Sequence, residues 1–395
     1  MNIIVLGKNY STSLGVIRAL GQLGRISIIK AYDEKNSIEL KSKYIDRIYW
    51  VKDFMENTLL SAFKSEISVE LHDKALIIPT DDYCASFLDK HFDELKNLYF
   101  VPNVGEVSGD LTRMMDKNIQ KNLAQKCGLS VARGVTISIE TNGRYTIPDV
   151  VKFPCYTKPQ ISVGFPKSYI QKCDTMDDLK ILLDHISLEK GKCDVLVEEY
   201  LPIEKEYVVP GVSTPDKVVI PAFVEKMSIG NGAHKGVTEK GKIIDAEKKS
   251  PKTKKGIEQL LKNIGLIGLF DIELIESNGR LYFNELNLRN GAATYGVTLA
   301  GVNLPSILVG YYTGWNDKEI SQELKEGYVF LSEKVALEDY RAGYSSWRDY
   351  CGKKKSVDGF FIKSKDDWKP YSIFLLKVAK IRMKKIGDKL FKILN

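Results

Sequence analysis

The sequence predicts an α/β domain, an α+β domain and a C-terminal extension, in that order. Three observations support this prediction. Strand-like and helix-like segments alternate over about residues 1–115, which is typical of a parallel α/β domain. Strands then outnumber helices over residues 116–315, which favours a largely antiparallel sheet. Residues 316–395 are more polar and end in a basic tail.

The α/β domain is predicted from apolar segments at the length of short strands. Strands are expected at residues 2–7, 26–32, 75–80 and 97–103, with a helix around residues 16–23. Between the first strand and that helix, Gly7 to Gly15 loosely imitates a nucleotide loop. It lacks the GxGxxG and GK[ST] spacings, so a tight strand-to-helix turn is the preferred interpretation. Asp81 and Asp82, at the end of a strand, either contact a ligand at the carboxyl edge of the sheet or cap a helix.

The α+β domain is predicted to start with a helix and to continue mainly as strands. Residues 116–129 carry apolar side chains at helical spacing, with Gly128 as a stop signal. Strands are expected at residues 150–159, 194–201, 206–212, 217–226, 269–276 and 280–286, and helices at residues 175–186 and 253–264.

Composition argues against several functional classes. The six cysteines show no CxxC spacing and the chain has only four histidines. This argues against structural zinc, a disulfide framework, and Ser-His or His-metal chemistry. No apolar run approaches the roughly 18 residues of a membrane span, and the opening MNIIVLGKN is typical of a buried strand rather than a secretory signal. We therefore expect a cytoplasmic protein.

The net charge of +7 comes from the C-terminal tail. Residues 369–395 contain eight Lys or Arg and one Asp, so residues 1–368 sum to zero. A neutral body gives no indication of a nucleic-acid partner.

Apolar side chains in the tail recur at steps of three and four residues. They are Leu375, Ala379, Met383, Ile386, Leu390 and Ile393. This pattern predicts an amphipathic helix that either packs on the body or lies on anionic lipid. The second alternative makes residues 373–395 a candidate for peripheral membrane contact at the inner face of the membrane.

The stretch LYFNELNLRNG (281–291) places polar residues at the period of a strand. Glu285, Asn287 and Arg289 are two residues apart, so their side chains point to one face of the predicted strand. A carboxylate, an amide and a guanidinium in one row are costly to bury without partners. The row therefore predicts a polar ligand.

The preceding strand, LFDIELIE (269–276), is joined to this one by an SNG hairpin signal. A two-residue turn would pair Ile272 with Glu285 and bury Glu273 among apolar residues. A three-residue turn would pair Asp271 with Glu285, and the alternation of polar and apolar residues favours it. That register would put four polar side chains on one face: Asp271, Glu273, Glu285 and Asn287.

Several acids on one face repel one another unless a cation lies among them. Oxygen ligands of this kind suit Mg²⁺ or Mn²⁺, and Mg²⁺ completes its coordination with water and phosphate oxygens. The row thus predicts a metal and a phosphate-bearing substrate. The alternative is an exposed sheet face whose acids form salt bridges to lysines.

Together these segments resemble the ATP-grasp ligases, the superfamily of biotin carboxylase, carbamoyl-phosphate synthetase and D-alanine–D-alanine ligase. The family's metal-binding pattern, an acid followed on the next strand by E-x-N, matches Glu273, Glu285 and Asn287. Arg289 stands where the family often has an arginine near the transferred phosphate, and Asp271 is an additional acid. The resemblance implies a Rossmann-like pre-ATP-grasp domain, an ATP-grasp domain, and ATP with Mg²⁺ or Mn²⁺ as cofactors.

Three further segments match the family in order. MDKNIQKNLAQKCGLSV and FPCYTKP place Lys117 and Lys158 where phosphate-contacting lysines are expected. VLVEEYLPIEKEYVV matches the adenine hinge, with Glu206 at the ribose hydroxyls. The hinge residues are Glu198, Glu199, Tyr200 and Leu201. The loop QISVGFPKSY has one glycine where the family's loop is glycine-rich. Either its Lys167 closes over the phosphates, or the loop is stiffer and turnover is slow. Lys226 is a further candidate for phosphate contact.

The resemblance implies a carboxylate–amine ligase that acts through an acyl phosphate, with a small-molecule carboxylate and an amine as partners. Arg289 and Lys226 are the candidate catalytic residues. The single-chain layout looks most like the ligases similar to D-aspartate ligase, which attach an amino acid to a cell-envelope acceptor. Two alternatives stay open: a catalytically inactive ATP-binding scaffold at the membrane, and an ATP-dependent small-molecule kinase. A monomer and a homodimer are both compatible with the sequence.

Overall fold

The structure of the chain, a computed structural model, describes the backbone of residues 1–71, 73–161, 167–314 and 323–394. Side chains are described in these ranges except at Lys167 and at residues 389–394.

The N-terminal region forms a parallel sheet flanked by helices, as predicted. Its strands run in the order β3-β2-β1-β4-β5, and every neighbouring pair is parallel. The strands are buried on both faces, which explains their continuous apolar sequences. The elements are β1 (Asn2–Leu6), α1 (Tyr10–Leu20), β2 (Arg25–Ala31), β3 (Ile45–Val51), α2 (Glu56–Ser61), α3 (Ser68–Glu70), β4 (Ala75–Pro79), α4 (Asp82–Lys90), α5 (Phe92–Leu95) and β5 (Tyr99–Phe100).

Two turns at the carboxyl edge of this sheet cap the helices that follow them. Asn9 caps α1 by accepting a hydrogen bond from the Ser11 N–H at 3.2 Å. Asp81 caps α4 by accepting from the Cys84 N–H at 2.8 Å. Residues 7–9 therefore form the strand-to-helix turn that we preferred, residues 10–15 belong to α1, and Asp81 is a helix cap.

The middle region contains a small sheet and part of a large one. The small sheet is antiparallel, in the order β10-β9-β11-β8, and packs against α8. The elements of this region are β6 (Asn103–Val104), α6 (Asp110–Arg113), α7 (Lys117–Lys126), β7 (Ser130–Val131), β8 (Gly134–Ile139), β9 (Cys155–Pro159), β10 (Lys172–Cys173), α8 (Met176–Lys190) and β11 (Cys193–Glu199).

The large sheet runs in the order β19-β18-β15-β14-β12-β16-β17-β7. One of its faces packs on α11, α12 and the N-terminal sheet, and the other packs on α7 and α10. Its elements are β12 (Lys205–Ser213), β13 (Val218–Val219), β14 (Ala222–Ile229), β15 (Thr238–Asp245), α9 (Ala246–Lys249), α10 (Pro251–Ile264), β16 (Leu266–Ser277), β17 (Arg280–Asn287), α11 (Ala292–Leu299), α12 (Leu304–Thr313), β18 (Val329–Leu331), α13 (Glu333–Ala342), α14 (Trp347–Lys353), β19 (Gly359–Phe360) and α15 (Lys369–Leu394).

The strand predicted at residues 217–226 is divided in two. β13 and β14 are separated at Ile220 and Pro221. Proline has no N–H to donate to a neighbouring strand, which explains the break.

The C-terminal extension shares the large sheet instead of standing apart from it. β18 pairs with β15, and β19 pairs with β18. A buried ion pair joins the extension to the first helix, with Arg18 Nε donating to Asp367 Oδ2 at 3.0 Å. The boundaries at residues 115/116 and 315/316 stay predictions.

The helices of the described residues were compared with the length and apolarity of a membrane span. No single helix there combines the length and apolarity that a membrane span needs. The consecutive helices α11 and α12 meet those requirements only as a pair bent by 93°.

The hairpin turn between β16 and β17 corrects the predicted register. Ser277 pairs with Arg280, so the turn has two residues and our three-residue turn is wrong. Asn278 and Gly279 both have left-handed backbones, with φ of 49° and 67°, as a type I′ turn requires. A β-bulge that leaves Asn284 unpaired then shifts the register by one residue. The bulge places Glu273 opposite Glu285 and Asp271 opposite Asn287.

Gly279→Val is expected to lower the free energy of unfolding by about 1–2 kcal/mol, because a β-branched residue is strained in a left-handed conformation. Urea denaturation measures the loss. Gly352→Ala is the matched control: Gly352 lies in α14, and the space that an added Cβ would occupy is open. The control is expected to gain about 0.5–1 kcal/mol from helix propensity. An unchanged stability in Gly279→Val would contradict the assigned turn.

Candidate active site

The β16–β17 hairpin presents a row of polar side chains on one face. Glu273 and Glu285 are directly opposed across the two strands. Leu286 and Leu288 alternate with this row and are buried in the core on the other face. The alternation predicted from the sequence therefore exists, although a bulge rather than a longer turn produces it.

Lysines from two other elements neutralise the opposed carboxylates. Lys117, at the start of α7, places Nζ 2.9 Å from Glu285 Oε1. Lys226, on β14, places Nζ 3.5 Å from Glu273 Oε2 and 3.1 Å from Glu206 Oε2. Burial opposes the charge of Lys226, but Glu273 and Glu206 outweigh it and raise its pKa. In this structure, the acids thus have the salt bridges to lysines that our alternative interpretation described.

Arg289 connects the end of the row to the N-terminal region. Its Nε donates to Asp82 Oδ1 at 3.0 Å, and its Nη1 lies 3.6 Å from Asp271 Oδ2. Asp271 is 5% exposed, and its Oδ1 has no hydrogen-bond partner among the described residues. Burial raises the pKa of Asp271 to about 6, while Arg289 opposes the rise. Asp271 therefore lies under Arg289, deeper than the Glu273–Glu285 pair.

A second charged cluster lies beside the row. Lys158, on β9, donates to Glu198 Oε2 at 2.7 Å and to Asn284 Oδ1 at 2.6 Å. Lys121, on α7, forms an ion pair with the other oxygen of Glu198. Glu198 is 3% exposed, so a single buried carboxylate is shared by two ammonium groups.

This cluster carries an excess of positive charge. Burial lowers the pKa of Lys158 to about 8, with Lys117 acting in the same direction and Glu285 opposing it. Burial, Lys158 and Lys117 likewise lower the pKa of Lys121. Converging ammonium groups are unfavourable without a counterion, so the arrangement suits a polyanionic ligand.

The predicted adenine hinge lies at the end of β11. The Tyr200 N–H donates to the Pro154 carbonyl at 3.2 Å, and the Glu199 side chain accepts from the Arg133 N–H at 2.9 Å. Among the described residues, no acceptor is assigned to the Leu201 N–H. Glu198 differs from the other hinge residues because its side chain points into the lysine cluster.

Two contributors were missed by sequence reasoning. Lys121 lies four residues after Lys117 and on the same face of α7, and this spacing could have identified it. Asn284 reaches Lys158 only because of the bulge, which no sequence signal marks. The predicted loop lysine, Lys167, has a side chain outside the described residues.

The oxygen atoms of the row fit a hard divalent cation in type. Glu273, Glu285 and Asn287 offer two carboxylates and an amide on one face, and Mg²⁺ commonly uses one or two protein carboxylates. Among the described residues, no three His, Cys, Asp or Glu side chains are grouped closely enough to hold a metal ion by themselves. Asp271, buried against Arg289, is not gathered with them.

Comparison with curated sequences finds similarity to carbamoyl phosphate synthase large chains. No protein-family model matches the chain. The chain is similar to the carbamoyl phosphate synthase large chains of Lachnoclostridium phytofermentans, 23% identical over 264 residues, and Clostridium botulinum, 25% identical over 285 residues. These matches cover 66% and 70% of this chain but 22% and 25% of those proteins. The chain therefore spans about a quarter of the length of these curated relatives.

Solved structures share the fold at low sequence identity. N5-carboxyaminoimidazole synthetase from Staphylococcus aureus, complexed with ADP, has a TM-score of 0.62 at 15% identity, covering 93% of this chain and 90% of that one. Biotin carboxylase from Campylobacter jejuni, in a β,γ-ATP complex, has a TM-score of 0.64 at 16% identity, covering 82% and 73%. L-amino acid ligase from Bacillus licheniformis has a TM-score of 0.60 at 13% identity, covering 81% and 77%. The chain has the ATP-grasp fold, and the predicted resemblance is confirmed.

Asp271→Asn is expected to change stability in a pH-dependent way. The folded-state pKa of about 6 lies above the ordinary 3.8, so the wild type loses stability as the pH rises from the unfolded-state pKa to the folded-state pKa, where the loss is complete. The free energy of unfolding of the variant, relative to wild type, should therefore rise by up to about 3 kcal/mol between about pH 4 and 6 and then level off. Denaturant titrations at a series of pH values measure this difference.

Glu276→Gln is the control variant, and its effect on the free energy of unfolding is expected to have the opposite sign at neutral pH. Burial opposes the ionisation of Glu276, but hydrogen bonds from Tyr207 and Lys249 lower its pKa. Its loss should therefore cost stability at neutral pH and little at low pH. A flat pH profile for Asp271→Asn would contradict the raised pKa.

Proposed function

We propose that the protein is an ATP- and Mg²⁺-dependent ligase that joins a carboxylate to an amine through an acyl phosphate. The observation that carries the proposal is the grouping of four lysines at and beside the opposed carboxylates Glu273 and Glu285. Lys117 and Lys226 form ion pairs with these carboxylates, and Lys121 and Lys158 share the buried Glu198 next to them. A triphosphate with its cation supplies the negative and positive charges that such a site needs.

Nucleotide binding is expected to exchange the partners of the charged groups. Glu273, Glu285 and Asn287 would hold the divalent cation, which when bound neutralises charge on the β- and γ-phosphates during in-line transfer. Lys117 and Lys226 would then leave these carboxylates for phosphate oxygens. Each carboxylate of the row would then face the divalent cation in place of a lysine, and each lysine would face a phosphate oxygen in place of a carboxylate. No buried charge would be left without a counterion.

The rest of the nucleotide is proposed to lie along β11 and β12. The Leu201 N–H would donate to the adenine edge, and the Glu206 carboxylate, which contacts Lys226 in this structure, would accept from the ribose hydroxyls. Glu199 and Tyr200 would form the rest of the hinge through backbone groups.

The chemistry needs no side-chain nucleophile. A carboxylate oxygen of the acceptor attacks the γ-phosphorus, ADP departs, and an acyl phosphate forms. The amine nitrogen then attacks the acyl carbon, phosphate leaves with the carbon–oxygen bond electrons, and the nitrogen loses a proton. Arg289 and Lys226 would stabilise the transferred phosphoryl charge.

The acceptor is proposed to bind between the N-terminal sheet and the row. Asp82 lies at the carboxyl edge of that sheet and contacts Arg289 at 3.0 Å, and such edges are common ligand sites in α/β folds. We propose a carboxylated cell-envelope or capsule precursor as the larger substrate.

Glu285→Ala is expected to abolish ATP turnover, because it removes one carboxylate of the proposed cation site. The assay measures ADP and phosphate from MgATP with a panel of amino acids and carboxylates. Hydroxylamine, added in place of the amine, should trap the acyl phosphate as a hydroxamate. The exposed Glu66→Ala variant, on a different surface, is the control and should retain full activity.

The outcomes separate the ligase from its two rivals. Turnover that requires both an amine and Glu285 supports the ligase. A phosphorylated product formed without an amine would identify a kinase instead. MgATP that raises the melting temperature without turnover across the panel would favour the inactive scaffold, and neither turnover nor stabilisation would refute the nucleotide site.

Lys121 is proposed to position Lys158 by sharing the charge of Glu198. Lys121→Met leaves Lys158 as the only partner of that carboxylate, so Lys158 should be less available for phosphate. MgATP affinity should fall about tenfold, the equivalent of about 1.4 kcal/mol. Isothermal titration calorimetry measures the affinity.

Two further variants test this role of Lys121. Lys121→Met/Glu198→Gln should recover most of the lost affinity, because Lys158 is again free of a competing carboxylate. The exposed Lys126→Met variant, on the same helix, should bind as the wild type does. Equal affinity losses in the single and double variants would refute the positioning role.

A further inference from the structure

Helix α15 packs on the body with a face that the sequence pattern did not single out. Phe374 and Val378 are buried, and Ile381 is partly buried against the same cluster. Lys377 and Lys385 lie on this side, over the rings of Tyr10 and Tyr340. The helix is therefore docked without using the stripe predicted from periodicity.

The described part of the predicted stripe is exposed to solvent, and the side chains of Leu390 and Ile393 lie outside the described residues. Leu375 is 43% exposed, Met383 66% and Ile386 49%, and Leu376 beside them is 67% exposed. Trp368, one residue before the helix, is 61% exposed and falls on the same side at 100° per residue. These five side chains form what we call the outer apolar face: Trp368, Leu375, Leu376, Met383 and Ile386.

Basic side chains border the outer apolar face on both sides. At 100° per residue, Lys369, Lys380 and Lys384 lie along one border and Arg382 lies along the other. All four are exposed. Among the described residues, no acidic side chain forms a salt bridge with any of them, and the only described acid on the helix is Asp388.

We propose that the outer apolar face of α15 docks on an anionic lipid surface. Apolar side chains along the helix axis, bordered by Lys and Arg, match an interfacial helix that lies in the plane of a membrane. The same Lys and Arg side chains would lie close enough to the membrane surface to be attracted by anionic headgroups. They also disfavour a second copy of this chain on the same face, because its own basic borders would be brought together.

The docked position is compatible with the packing of the body. Phe374, Val378 and Ile381 hold α15 from the opposite side, so the outer apolar face can meet a surface without unfolding or detaching the helix. The inference does not depend on the proposed ligase activity.

Vesicle co-sedimentation tests the proposal. Full-length protein is mixed with phosphatidylcholine vesicles, with or without about one-third phosphatidylglycerol. We expect binding to the anionic vesicles only, weakened by added salt. Leu376→Glu/Met383→Glu should reduce the bound fraction about tenfold or more, and Lys380→Gln/Lys384→Gln should weaken binding severalfold.

The control places the same charges on an exposed apolar pair elsewhere. Ile181 and Leu188, on α8, are 70% and 88% exposed. Ile181→Glu/Leu188→Glu should bind vesicles as the wild type does. Circular dichroism melting should be nearly unchanged in every variant, because all substituted side chains are exposed.

Three outcomes would overturn the proposal. Wild-type protein that stays in the supernatant with anionic vesicles would do so, as would equal binding to neutral and anionic vesicles. A dimer detected by light scattering, and lost in Leu376→Glu/Met383→Glu, would assign the face to self-association instead.

Discussion

The opposed carboxylates of Glu273 and Glu285 set the main electrostatic constraint on this structure. Two like charges facing each other across a hairpin repel, and the fold must supply cations close to both. It does so from separate elements: Lys117 comes from α7, and Lys226 comes from β14. The placement of α7 against the hairpin is therefore dictated by charge as well as by the apolar contacts beneath it.

The C-terminal extension also helps to hold one of these lysines in place. Lys226 Nζ donates to the Gly236 carbonyl at 3.1 Å, in the connection between β14 and β15. In that connection, the Asn231 backbone N–H donates to Asp339 Oδ1 at 2.9 Å, and Glu239, on β15 just after the connection, lies 2.6 Å from Lys353. Because Asp339 and Lys353 belong to α13 and α14, the extension helps to fix a lysine of the candidate site.

The sequence predicted the order of the elements well, and it predicted local geometry less well. Helices α7, α8 and α10 and the row of polar residues follow from periodicity, because side-chain period reflects which face is buried. The hairpin turn was predicted wrongly because the turn length was chosen to put the polar residues on one face under the assumption that the two strands pair without a bulge. A bulge at Asn284 restores the shared face after a two-residue turn, and a bulge depends on packing between strands. Lys121 was missed for a related reason, since its partner Glu198 lies on a distant strand.

Helix α15 shows why periodicity alone does not tell which face of a helix is packed. The spacing from Leu375 to Ile386 predicts an apolar stripe, and a packed helix would normally bury that stripe. The contacts of Phe374 and Val378 instead bury a face that also contains lysine stems, which can cover apolar rings while their charges stay near water. Because Phe374 and Val378 already pack on the body, the apolar stripe stays exposed between basic residues. A helix that is docked on one side and apolar on the other has the geometry to link the body to a second surface.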